Sequence, residues 1–393
     1  MTVFSKQHLD EISKIYSCRD MIHPWGSTCT KGNLIFFYSA VIGASKFFFV
    51  MYTFQYLFMY KKLTKNHIPV ILKSFFRSML MATMYAICFT AINCLNVKIT
   101  GRLNFSVLKF WCPFISSFPI FLDHPVRRSI VTRTFVALAI ECVFRRLYKR
   151  FQRSKNLEML FFMICNAIFM YTIRLPVKKK SEISVMWFFK PSRIKDDDQN
   201  CKHFCSHRNT CWDDILKNTA KYFTIGLGFS TVKVLVKSPK LIQNPIKLVK
   251  TMLNWDNCRI AIFASSYVAL YKIISCYLCN TNKKDDERFA LISGFVSGVA
   301  YKLNPNLTLL SSLMTILLYM GGEETRKRFN LPNFCYEELA FIVSNTLLLS
   351  TRIIYPEDCP SSFIKIIDMG TNGRSDELYK NLRHKIEQMV VIK

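Results

Sequence analysis

Ten apolar stretches divided by basic, polar segments constrain this chain more than any other feature. In the first half they cover 33–60, 75–97, 105–122, 129–144 and 157–175. In the second they cover 219–236, 258–279, 288–303, 306–320 and 337–355. Crossing a bilayer takes about 20 residues, with a range of roughly 17–25. Three stretches, 129–144, 288–303 and 306–320, fall short of this and are expected as tilted partners, re-entrant hairpins or interfacial helices. In lipid the backbone must satisfy its own hydrogen bonds, so all of these segments are expected to be helical.

Composition agrees with that reading. Across 393 residues there are 54 Lys+Arg against 26 Asp+Glu, a formal charge of +28, yet 51% of residues are hydrophobic and only 20% are charged. A disordered basic tail lacks such apolar content, and a soluble domain of this size carries more charge. Collagen, coiled coil and secreted disulfide scaffold are excluded on the same grounds. Basic residues sit beside the apolar segments, where anionic lipid head groups explain them at about 1 kcal/mol per residue. The expected partner is therefore a lipid bilayer with anionic head groups, and no nucleic acid.

The halves resemble each other at an offset of roughly 180 residues. Ser27-Thr28-Cys29 corresponds to Asn209-Thr210-Cys211, and Ala86 to Cys94 lines up with Val268 to Cys276. Leu122-Asp123-His124-Pro125 parallels Leu303-Asn304-Pro305, and Glu158 parallels Glu338. The expected fold is all-α, a polytopic helical membrane protein of two sequence-similar halves with four or five hydrophobic helices each. The expected regions are a cysteine-containing segment at 1–32, a membrane repeat at 33–176, a polar linker at 177–218, a second repeat at 219–355 and a soluble tail at 356–393. Five spans per half would make the repeats inverted, and four would make them parallel. Loop charges do not choose between these. In the linker, Trp187, Phe188 and Phe189 suit a membrane surface or a helix bundle equally. In the tail, Ser375 is expected to cap a last helix, with Asp376 and Glu377 in its first turn and Leu378, Leu382, Ile386 and Met389 on one stripe.

Residues 1–30 are polar and contain Asp10, Glu11 and Asp20, so no secretory signal peptide is expected. There are fifteen Cys. Eight (Cys88, Cys94, Cys112, Cys142, Cys165, Cys258, Cys276 and Cys279) lie in apolar segments, where thiols behave as small hydrophobes. The expected setting is an intracellular membrane with reduced thiols.

Motifs for chemistry are few. The chain contains no G-x-x-x-x-G-K-[ST], H-E-x-x-H or G-x-S-x-G pattern, so no catalytic residue, enzyme activity or cofactor is expected. The candidate metal ligands are Cys201, Cys205, His207 and Cys211, with a sparser version in Cys18, His23 and Cys29. Thiolate and imidazole suit tetrahedral zinc, but the spacing matches no ribbon or finger, and packed thiols are the preferred reading. Gly294 and Gly298 have small-x3-small spacing, and Gly226 and Gly228 offer a second smooth face. Both are expected to pack helices, within the chain or in an oligomer. Lys46, Glu141 and Lys272 lie deep in apolar segments, where charge costs on the order of 3 kcal/mol. They are candidates for a polar path or for pairs across helices.

Several of these residues resemble the transmembrane protein 135 family, also called peroxisomal membrane protein 52. They are Cys201-Lys202-His203 with Cys211, Tyr222 to Gly226, Ser238-Pro239, Asp285-Asp286-Glu287 running into Ile292 to Gly298, and His23-Pro24-Trp25 between Cys18 and Cys29. The resemblance implies a multipass protein of peroxisomal and mitochondrial membranes, linked to organelle dynamics, lipid metabolism and organelle-dynamics partners. It also implies distant similarity to the inner-membrane protein translocase (Tim) superfamily, and it carries no catalytic residues. The expected function is thus a non-enzymatic organelle membrane protein. The alternative is a transporter or channel for a small metabolite or lipid, with its path at the repeat interface.

Overall fold

The computed structural model describes residues 14–59, 67–151, 154–175, 187–191, 205, 207, 210–237, 245–252, 254–330, 332 and 334–392. Among them there is no strand, and the fold is all-α. The chain divides into two compact units, Met1–Phe151 with Asn333–Lys393, and Gln152–Pro332. This division cuts across the halves drawn from sequence. The last apolar helix of the first half belongs to unit 2, and that of the second half belongs to unit 1.

Unit 1 opens with a short helix, α1 (Cys18–Met21), followed by two long apolar helices, α2 (Cys29–Met59) and α3 (His67–Thr100). Contacts from Asn33 to Cys94, Ser45 to Met79 and Tyr52 to Ser78 run in opposite directions along the two, so they pack antiparallel. The stretch expected at 105–122 is not one continuous helix. A wide turn at Val107–Trp111 leads into α4 (Cys112–Ser116), and a tight turn covers Phe118–Leu122. Pro113 and Pro119 each lack the amide donor that a straight helix would use there.

Helix α5 (Pro125–Arg150) starts on a proline, whose missing N–H costs nothing at a first helical position. After unit 2, the chain returns to unit 1 as α12 (Tyr336–Ile354), α13 (Ser361–Gly370) and α14 (Arg374–Ile392). Helix α12 lies on α5 through Arg128–Glu338 at 3.1 Å, Ser129–Glu337 at 2.9 Å and the tilted rings of Phe135 and Phe341 at 4.8 Å. The tail is not a separate region, since Phe363, Leu378 and Leu382 are buried in the unit 1 core. Ser375 is not a cap. It lies buried inside α14 and accepts from Arg352 at 3.0 Å, while Asp376 and Glu377 do occupy the first turn. The side chains of Ile386 and Met389 lie outside the described residues.

Unit 2 contains α6 (Lys155–Arg174), α7 (Cys211–Lys237), α8 (Pro245–Met252), α9 (Trp255–Asn282), α10 (Glu287–Ser297) with a tight turn at Gly298–Leu303, and α11 (Leu307–Arg328). Pairs from Asp214 to Lys272 and from Gly226 to Ala261 make α7 and α9 antiparallel. Helix α6 packs on α10 and α11, with the rings of Phe162 and Tyr301 stacked at 4.6 Å. Phe188 and Phe189 pack on Tyr267 and Tyr271, so this part of the linker lies on the bundle. Asn254, Asp286 and Asn306 cap α9, α10 and α11 by accepting backbone N–H groups.

Among the described residues, four helical stretches are long and apolar enough to cross a membrane, namely Cys29–Thr53, Ile68–Thr100, Lys155–Arg174 and Trp255–Asn282. Helix α6 shows how such a helix works in lipid. Leu157, Leu160, Phe161, Ile164 and Ile168 are exposed on one side, while Phe162, Asn166, Phe169 and Met170 are buried on the other. Apolar residues face outward and a polar one faces inward. With lipid as apolar as leucine, association must come from packing and hydrogen bonds.

Candidate metal centres and the polar knots

In unit 1, α1 and the loop after it bring Cys18 and His23 to the start of α2, where Cys29 sits, and to Cys94 near the end of α3. Their ligand atoms all lie within 4.8 Å of one another. The Cys18 and Cys94 sulfurs are 3.6 Å apart, and His23 Nε2 is 3.7 Å from Cys18 Sγ. His23 is 1% exposed, and its Nδ1 has no hydrogen-bond partner.

Glycines make this geometry possible. A Cβ on Gly26 would sit 2.4 Å from Gly32 Cα, and one on Gly32 would sit 2.7 Å from the His23 ring. Trp25 clamps the loop by donating to Gly32 O at 2.9 Å and stacking on Phe36. Asn33 donates to Cys94 Sγ at 3.4 Å.

In unit 2, Cys205, His207, Cys211 and Cys276 form the matching group, again with all ligand atoms within 4.8 Å. Cys205 and Cys211 sulfurs are 3.7 Å apart, and His207 Nε2 is 3.3 Å from Cys276 Sγ. Cys211 opens α7 and Cys276 lies near the end of α9, as Cys29 and Cys94 do in α2 and α3. Each pair is separated by 65 residues. Three of the four candidate ligands read from sequence are thus brought together. Cys201 lies outside the described residues, and Cys276 completes the set. Cys94 and Cys276 were missed because an apolar neighbourhood argued for packed thiols.

Hydrogen bonding with Cys94 and burial push the Cys18 thiol up from its ordinary value. Burial, then the neighbouring Cys276 and Cys211, do the same to Cys205. A dication reverses that balance, since a coordinating thiol deprotonates outright. All fourteen described cysteines are free.

A second feature was not read from sequence. In unit 2, Asn166 on α6 donates to Gly294 O at 2.6 Å and Ser297 Oγ at 3.1 Å, and accepts from the Tyr267 hydroxyl. In unit 1, Asn345 on α12 donates to Ser117 Oγ at 2.7 Å and accepts from the Tyr85 hydroxyl at 2.9 Å. Both asparagines are fully buried. Each knot is a Tyr–Asn–Ser arrangement centred on the helix that belongs, by sequence order, to the other half.

Of the glycines, Gly226, Gly294 and Gly298 are packing positions. A Cβ on each would meet Ala261 Cα at 2.5 Å, Ala167 Cα at 3.0 Å and Met163 Cα at 2.7 Å respectively. A Cβ on Gly228 would meet nothing within 4 Å among the described residues, so it packs no helix within the chain there. Gly43, not singled out from sequence, lies where a Cβ would be 2.5 Å from Asn372 N.

The three deep ionisable residues each have a local partner. Lys46 donates to Asn372 at 3.2 Å, Glu141 accepts from Arg145 at 2.7 Å, and Lys272 pairs with Asp214 at 2.5 Å. In unit 1, Lys46 and Glu141 are held by different partners. Unit 1 also holds a cavity of about 620 Å³ between α5, α12 and α14, lined by Arg146, Lys149, Arg352, Asp358, Tyr379 and Arg383 among others.

Apolar helices that present polar groups inward and hydrocarbon outward define a polytopic α-helical integral membrane protein. Residues 15–147 match the family model for the N-terminal cysteine-rich region of Transmembrane protein 135. The matched stretch, which is similar to that family's cysteine-rich region, contains Cys18, His23, Cys29 and Cys94. No solved structure matches the chain.

Proposed function

We propose that this protein is a non-enzymatic multipass protein of peroxisomal and mitochondrial membranes that affects organelle dynamics and lipid metabolism. The observation that carries the reading is the family match over residues 15–147, combined with four helical stretches able to span a bilayer. Its interior polar residues support a structural role. Asn166, Asn345, Arg174 and Arg352 are each committed to holding helices together. An excess of Lys and Arg beside the apolar segments favours anionic head groups as the surrounding partner. Duplication of an ancestral unit accounts for the parallel cysteine clusters and polar knots, with the closing helix exchanged between the two copies.

The test is to tag both termini and the 177–218 linker, image the protein in cells, and measure protease accessibility of each tag in isolated organelles. Peroxisomal or mitochondrial location, with altered organelle number or lipid stores on depletion, is the expected result. Exclusive residence in the plasma membrane or endoplasmic reticulum overturns it.

A further inference from the structure

We propose that each cysteine–histidine cluster binds one Zn²⁺ in a closed tetrahedral site, through Cys18, His23, Cys29 and Cys94 in unit 1 and Cys205, His207, Cys211 and Cys276 in unit 2. The ions fasten the segments ahead of α2 and α7 to the ends of α3 and α9. Donor chemistry is the first argument. Three thiols and one imidazole are the ligand set of structural zinc, with four protein ligands and no open position for substrate.

Geometry is the second. With Zn–S near 2.3 Å and Zn–N near 2.0–2.1 Å, a tetrahedron has S···S edges of about 3.8 Å and S···N edges of about 3.6 Å. In each site one sulfur pair, at 3.6 and 3.7 Å, and one sulfur–nitrogen pair, at 3.7 and 3.3 Å, stand at such edges, and the other ligand atoms lie within 4.8 Å. A disulfide needs sulfurs at about 2.05 Å, well inside these separations. Arrangements packed only as small hydrophobes have no reason to settle on tetrahedral edges twice, in two units, with a His in each.

The surroundings are the third. Metal thiolates are held by donors from outside the ligand set. Asn33 aims its amide at Cys94 Sγ at 3.4 Å, and Asn280 aims its amide at Cys211 Sγ at 3.7 Å. Gly26 and Gly32 leave no room for a side chain where the loop must close on His23. On binding, each cysteine releases its thiol proton to solvent and the imidazole binds in its neutral form. Three protons therefore leave per site, and no oxidant or reductant is needed.

The experiment measures zinc in the full-length protein, purified in detergent with reductant and metal-free buffers, by inductively coupled plasma mass spectrometry. The expected content is about two zinc per chain. It falls to about one in Cys94→Ser and in Cys276→Ser, and to none in the double variant, while Cys142→Ser keeps both. Because a serine variant can fail to insert, two readouts use the unaltered protein. Cobalt-grown protein should show the intense visible absorption of tetrahedral Co²⁺ with sulfur-to-metal bands in the near ultraviolet. Cys18 and Cys276 should resist alkylation until a zinc chelator is added. The proposal is overturned by less than one zinc per chain, by a single zinc lost in only one variant, by contents unchanged in both, or by a disulfide among these six cysteines.

Discussion

The two units solve the same packing problem with different backbones. Each holds its closing helix by a buried asparagine clasped between a tyrosine hydroxyl and a serine, Tyr267–Asn166–Ser297 in unit 2 and Tyr85–Asn345–Ser117 in unit 1. Unit 2 brings the helices close with glycine, since Gly294 and Gly298 admit the backbone of α6. Unit 1 has no glycine there. It breaks the equivalent stretch into a wide turn, a short helix and a tight turn around Pro113 and Pro119. The demand shared by the two units is therefore on the side chains of the knot, and close approach can be reached either by small residues or by bending the partner. Unit 1 also folds α13 and α14 into its core, which unit 2 has no counterpart for among the described residues.

Replacing the buried arginines is expected to have the largest effect and to separate the units. Arg174, 3% exposed, pairs with Asp285 and donates to Ser275 at 3.1 Å. Arg352, 4% exposed, pairs with Asp368 at 2.8 Å. Removing one partner of a buried pair costs roughly 3–5 kcal/mol. Arg174→Ala should reach that range and Arg352→Ala should fall below it, because Asp368 is the more exposed carboxylate. Proteolysis-monitored thermal unfolding of the purified protein checks the order, and an equal or reversed cost breaks it.

Next come the knots. Asn166→Ala removes the acceptor of the buried Tyr267 hydroxyl and Asn345→Ala that of the Tyr85 hydroxyl, while Ser297 and Ser117 keep their bonds to Gly294 O and Pro113 O, at about 1–3 kcal/mol for each variant. Similar losses are expected in the same unfolding assay. A loss confined to one variant would show that the two knots differ in kind.

Glycine substitutions come third. Gly298→Ala places a methyl group against Met163 backbone and should cost about 1–3 kcal/mol. Gly228→Ala meets open space and should be neutral, or stabilise by up to about 1 kcal/mol through helix propensity. If both are neutral, close helix approach is not what holds α6 on α10.

The smallest effect concerns a helix cap. Asp286 accepts the Arg288 N–H, which holds its carboxyl below the usual carboxylate value. A lowered pKa means that the contribution is complete above about pH 4 and is lost as pH falls through the folded value. Asp286→Ala should cost about 1 kcal/mol at neutral pH. Asp286→Asn should keep most of the cap while removing its acid sensitivity, read as stability against pH from 2 to 6.

Local chemistry alone determined much of this protein. Apolar runs of sufficient length at 33–60, 75–97, 157–175 and 258–279, with the need to satisfy backbone in lipid, announce helices that the structure places at Cys29–Thr53, Ile68–Thr100, Lys155–Arg174 and Trp255–Asn282. The small residues at 226, 294 and 298 announce close packing, and the parallel Cys29 and Cys211 mark equivalent helix starts. What only the tertiary structure decided is which helices share a unit. Lys155–Arg174 and Tyr336–Ile354 are each apolar enough to pack with many partners. Their assignment rests on Asn166 and Asn345 finding a tyrosine and a serine that lie more than 100 residues away in sequence. The same holds for the clusters. Hydropathy describes Cys94 and Cys276 as ordinary members of apolar helices, and only folding brings each sulfur to a histidine and two other thiols. Helix formation is a local property of the chain, whereas a four-ligand site is a coincidence of distant residues in space.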